Sequence, residues 1–201
     1  GSIFDNFGDR FFHYRDTWKD FTTFFGQNGF ESSLSTLFTG PTNNTPYLWM
    51  RVAGGGFPHG IYDGPTVDDI VAKGSRAVFN QMFGSYFGDW GYANNLMRAF
   101  IADRSYGLAS AWVGYLPWKF YHMGLGETIG YNTRLTQNID STESYAPIYD
   151  WFSYDSEFKR ATFSGLMGAP TLRLHVVKPP TNITFTNQAG LLALSWTASP
   201  D

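Results

Sequence analysis

Two short apolar runs, each ending at a turn of small residues, constrain this chain more than any other feature. Tyr47-Leu48-Trp49-Met50-Arg51-Val52-Ala53 runs into Gly54-Gly55-Gly56, and the run from Arg76 to Phe83 ends at Gly84-Ser85. Runs this short and this continuously apolar read as strands buried on both faces, as in a parallel sheet. Open α/β sheets place their chemistry just beyond the carboxyl ends of such strands. The second turn, Gly84-Ser85-Tyr86-Phe87-Gly88-Asp89-Trp90, sets a nucleophile-sized residue there and leads into a helix-like stretch. Ser85 is therefore the candidate nucleophile.

The remaining segments fit the same plan. Trp18, Phe21, Phe24 and Phe25 repeat with a helical period within Tyr14–Phe25, which Asn28-Gly29 ends. A long polar loop is expected from the triple glycine through Asp69. The spacing then predicts a helix from Tyr92 to Asp103, a strand over Leu108–Gly114, a helix within Leu116–Gln137 carrying Met123, Ile129 and Leu135, and a strand over Leu172–Val177. This alternation is that of a parallel sheet with crossover helices. The opening Gly1–Asn6 reads as the end of a strand, so the chain is expected to be part of a larger polypeptide. Beyond the stiff Pro179-Pro180, Ile183-Thr184-Phe185 and Leu192-Ala193-Leu194-Ser195-Trp196 alternate with period two around Asn187–Gly190. They read as the first pair of strands of a β-sandwich. The expected domains are residues 1–178 and 179–201.

Composition narrows the function classes. The aromatic share is 19%, from 19 Phe, 12 Tyr and 7 Trp, and most of these residues fall in periodic apolar segments, so an aromatic core is expected. Net charge is −3 and the longest basic run is Lys159-Arg160, which argues against nucleic acid or an anionic membrane as partner. No apolar stretch has the length to span a bilayer, so membrane insertion is not expected. The absence of cysteine removes disulfides, thiolate metal sites and thiol nucleophiles together. His13, His122 and His175 lack zinc spacing. Asp63, Asp68 and Asp69 read as a solvated loop without calcium-ligand spacing. Gly54–Gly56 lacks the phosphate-loop pattern. No cofactor or metal is expected. Glu127 reads as helix surface or as a buried hydrogen-bonding partner.

Three motifs in order carry a family resemblance: Ser85-Tyr86-Phe87-Gly88-Asp89, then Ala93-Asn94-Asn95-Leu96-Met97-Arg98-Ala99, then Gly168-Ala169-Pro170-Thr171-Leu172. Over about residues 3–178 the chain resembles the catalytic domain of the gingipain-like cysteine peptidases of the caspase-fold clan. Gly84–Trp90 and Met123–Tyr131 are also similar to segments of large multidomain proteins of planctomycete-type bacteria. The resemblance implies a caspase-like three-layer α/β/α sandwich with a mainly parallel sheet, followed by a truncated fibronectin type III-like β segment. It also implies a nucleophilic cysteine at position 85 and a base, supplied by a Gly-His-Gly motif, at position 55.

The chain has Ser85 and Gly55 at those positions. A serine hydroxyl is a far weaker nucleophile than a thiolate and needs an adjacent base. The expectation is thus a degenerate, non-catalytic peptidase-like domain of an exported or surface bacterial protein. It would bind a peptide or protein in the former active-site crevice, lined by Gly54, Gly56, Tyr86, Phe87, Asp89 and Trp90. Asp89 is expected to cap the following helix or brace the loop. Two alternatives stand beside this reading. One is a hydrolase using Ser85 with a substitute base, for which His59 in Phe57-Pro58-His59-Gly60 is the candidate. The other is a purely structural envelope or extracellular assembly domain.

Overall fold

A computed structural model of the chain describes residues 2–5, 20–29, 31–32, 46–113, 119–138, 164–175, 180–188 and 190–198. Its center is a mainly parallel sheet of six strands: β1 (Ser2–Asp5), β2 (Glu31–Ser32), β3 (Tyr47–Ala53), β6 (Ala77–Phe83), β7 (Ala109–Val113) and β8 (Ser164–Gly168). Their order is β2-β1-β3-β6-β7-β8, and only β8 runs antiparallel to its neighbor. The two apolar runs are therefore adjacent parallel strands, with Ala53 opposite Phe83.

Helices cover both faces, which explains the near-continuous apolarity of β3 and β6. On one face, α2 (Val67–Lys73) and α3 (Leu96–Ala102) bury Val67, Ile70, Leu96, Met97 and Phe100 against Met50, Val52 and Met82. On the other, α1 (residues 20–25), a 3-10 turn (Tyr121–Leu125) and α4 (Ile129–Gln137) bury Phe21, Met123 and Ile129 against Trp49, Phe79 and Ala111. Trp49 gathers Phe24, Phe79 and Phe120 around it at ring-centroid distances of 5.0, 5.2 and 5.6 Å. The aromatic excess is, on this face, core packing.

Several segments differ from the sequence expectation. The polar loop through Asp69 contains a small hairpin, β4 (Gly56–Phe57) with β5 (Gly60–Ile61), and the whole of α2. A capping box starts α2: Thr66 Oγ1 accepts from the Asp69 N–H at 3.2 Å, and Asp69 Oδ2 accepts from the Thr66 N–H at 3.0 Å. Burial would raise the Asp69 carboxyl, but its bonds from Thr66 and its pairing with Lys73 outweigh that and hold it below the usual carboxylate value. Asp68 and Asp69 thus serve the first turn of a helix rather than lying in a solvated loop. The helix expected from Tyr92 begins at Leu96, and the one expected within Leu116–Gln137 is divided at Gly126 (φ 91°).

The strand expected over Leu172–Val177 is not one where it is described. Residues 172–175 form no strand, and Val176 and Val177 lie outside the described residues. The closing strand is β8, and the turn after it serves α4 instead. The Ile129 N–H donates to Leu172 O at 2.8 Å and the Gly130 N–H to Pro170 O at 2.9 Å. These bonds satisfy donors that the first turn of a helix leaves open. The segments Met123–Tyr131 and Gly168–Leu172 are therefore packed on one another. Past Pro180, β9 (Thr181–Gln188) and β10 (Leu191–Thr197) form an antiparallel hairpin pairing Phe185 with Leu194. Ile183, Phe185, Leu192, Leu194 and Trp196 are all exposed, while Thr184 and Ser195 hydrogen-bond at 2.6 Å on the opposite, polar face.

Candidate functional site

Because β3 and β6 end level, their turns emerge side by side at the carboxyl edge of the sheet. The Gly54 N–H donates to Phe83 O at 3.0 Å, carrying the pairing one residue into the turns. Beyond it the two turns touch backbone to backbone. A Cβ on Gly56 would stand 2.3 Å from Ser85 O and 2.8 Å from Ser85 N. One on Gly84 would stand 2.7 Å from Gly54 O and 2.4 Å from Phe87 Cε2. Gly55 differs from both, since among the described residues a Cβ there meets only Tyr62 Cδ2 at 3.4 Å, an ordinary contact.

The Ser85 turn is fixed from beneath. Phe87 is fully buried among the residues of α2 and α3. Trp112 of β7 donates its Nε1–H to Gly84 O at 2.9 Å. Asn95 donates its side-chain amide to Phe87 O at 2.9 Å and to Asp89 O at 3.3 Å, while its Oδ1 accepts from the Arg98 N–H at 3.1 Å. One buried amide thus caps α3 and closes the turn before it. Between these anchors Tyr86 is held at φ +67°, a conformation costly for a bulky residue.

The expected site residues divide by exposure. Ser85, Tyr86, Asp89 and Trp90 lie on the surface, and Trp90 rests its ring against Gly165 of β8. Gly54 and Gly56 are buried against the Ser85 turn. Phe87, expected to line the crevice, is core and presents nothing to a ligand. Asp89, expected to cap α3 or brace the loop, leaves the cap to Asn95, and its carboxylate makes no hydrogen bond or ion pair among the described residues. His59 is exposed, and its Nδ1 lies 2.9 Å from Asn94 O with its ring edge-on to Tyr92. That bond fastens it to the loop before α3, and among the described residues no hydrogen bond joins it to Ser85. The Ser85 hydroxyl itself has no hydrogen-bond partner among them.

Asn95 and Trp112 are the contributors that sequence reasoning passed over. Asn95 carried a legible signal, an asparagine immediately before an apolar helical period. Trp112 carried none, because its neighborhood depends on strand order. Elsewhere, His122 packs between Tyr121 and Tyr131, and burial together with nearby Lys119 holds its imidazole below the usual histidine value despite Glu127. Among the described residues no group of His, Asp or Glu is placed to hold a metal ion, and no helix is long and apolar enough to cross a membrane. No protein-family model, curated protein or solved structure matches this chain.

Proposed function

We propose that this chain is a degenerate, non-catalytic peptidase-like domain of caspase-like α/β/α build, followed by the opening hairpin of a fibronectin type III-like module. It belongs to a larger exported or surface bacterial protein and binds a peptide or protein segment where β3 and β6 end. The observation that carries this reading is the Ser85 hydroxyl. It sits exposed beyond the end of β6, the position the peptidase resemblance gives to a nucleophile, with no base bonded to it among the described residues. The residue at the base position, Gly55, has no side chain, and His59 is tied to Asn94. Serine chemistry requires a base positioned to take the hydroxyl proton.

Binding is supported by what flanks the serine. Tyr86 is 52% and Trp90 50% exposed, two large aromatic rings on a turn whose backbone is rigidly anchored. Exposed aromatics on a preorganized frame are the usual energetic anchors of protein recognition. The test is binding of the full chain to an array of immobilized peptides. Trp90→Ala is expected to weaken the uncharged peptides that bind by about tenfold, the effect of losing one anchor of about 1.4 kcal/mol. Undiminished binding by Trp90→Ala, or no peptide bound at all, would remove the crevice as a binding site and leave the assembly role.

A further inference from the structure

A second recognition surface lies on the other side of Asn95 from the Ser85 turn. α2 and α3 pack side by side, and the groove between them, about 250 Å³, has an apolar floor of Val67, Ile70, Val71 and Ala99. Arg98, in the first turn of α3, and Arg104, just past its end, also line it. Arg98 gives one guanidinium N–H to Tyr92 O at 3.1 Å and forms no ion pair among the described residues. Arg104 has neither hydrogen bond nor ion pair among them. Among the described residues the one carboxylate lining the groove is Asp103, which accepts from the Ser75 N–H at 2.5 Å and from the Ser105 hydroxyl. In a chain of net charge −3, the groove therefore sets two arginines against one carboxylate, a net positive lining around apolar residues of which Val71 is 76% exposed. Arg98 also stands at the positive end of its helix, where a cation does nothing for helix stability.

We infer that this groove is a docking site for an acidic peptide segment of another protein, with an apolar residue between two carboxylates. Spacing sets the register. In an extended chain only every second side chain shares a face, so two carboxylates flanking one groove-facing apolar residue stand about 13 Å apart, a span that the long side chains of Arg98 and Arg104 reach from the two ends of a helix about 10 Å long. The carboxylates that meet Arg98 and Arg104 are therefore four positions apart, with the apolar residue midway between them on the same face. This surface stands independently of the crevice proposal, because it involves neither Ser85 nor Trp90.

The test is fluorescence anisotropy of the full chain with a labeled Gly-Asp-Gly-Leu-Gly-Asp-Gly peptide, beside counterparts in which both Asp are replaced by Asn or by Lys. The acidic peptide is expected to bind at least tenfold more tightly than the neutral one, with the advantage shrinking as salt rises. Arg104→Glu, which removes no internal hydrogen bond, is expected to weaken it at least tenfold with an unchanged melting temperature, and Arg98→Glu/Arg104→Glu to abolish it. Trp90→Ala is expected to change nothing. No binding of the acidic peptide, equal binding of acidic and neutral peptides, or loss with Trp90→Ala but not with Arg104→Glu would overturn the inference.

Discussion

Phe87→Ala should destabilize the domain by about 3–5 kcal/mol, the range for deleting a fully buried phenylalanine ring. The site belongs at the upper end of that range for a local reason. The ring lies where the Cβ of an alanine at Gly84 or Gly56 would fall, within 2.4 and 2.9 Å, so it packs directly beneath both turns. It also belongs to the core that α2 and α3 bury. Removing it opens a cavity under a backbone already carrying Tyr86 at φ +67°. Urea unfolding monitored by tryptophan fluorescence measures the loss, read as a shift in midpoint at constant slope. A loss below about 1 kcal/mol would mean that the ring is not the plug described here, since surface-like substitutions fall in that range.

Gly56→Ala and Gly55→Ala should differ sharply although the two residues are neighbors in one glycine run. At Gly56 the new methyl meets backbone atoms of Ser85, which cannot rotate away as a side chain would, so a cost of about 3 kcal/mol or more is expected. At Gly55 an edge of the Tyr62 ring is the one near neighbor among the described residues and the backbone is not in the left-handed region, so the change should stay within about 1 kcal/mol of zero. Equal effects from the two substitutions would contradict the close approach of the turns. The contrast bears on function as well. Position 55 has room for a Cβ, so glycine there is not required by close backbone contact as it is at position 56.

Much of the frame was legible because local chemistry and tertiary position agree in it. β3 and β6 were readable to within a residue, since strands covered on both faces must be apolar on both faces. The level ends of those strands placed Ser85 beside the triple glycine, and the structure keeps them in contact. What escaped reading depended on partners distant in sequence. Leu172–His175 has the composition of a strand but forms none, and its Leu172 carbonyl joins that of Pro170 in accepting from the start of α4. Phe87 and Trp90 are both aromatic residues of one turn, and only the packing of α2 and α3 sends the first inward while the second lies out against Gly165. α2 is different: its Thr66-to-Asp69 capping box and its Val67 and Ile70 were local signals, outweighed by the polar residues around them. Asp89 and Asn95 competed for the cap of α3, and the residue immediately before the apolar period took it.

The central claim is that Ser85 occupies a nucleophile's place without a nucleophile's chemistry. An activity-based fluorophosphonate label, applied to the full chain and to Ser85→Ala in parallel, tests it most directly. No covalent labeling of either protein is expected, because among the described residues the Ser85 hydroxyl has no base to accept its proton. Labeling of the unaltered chain that disappears in Ser85→Ala would contradict it and restore the domain to the hydrolases.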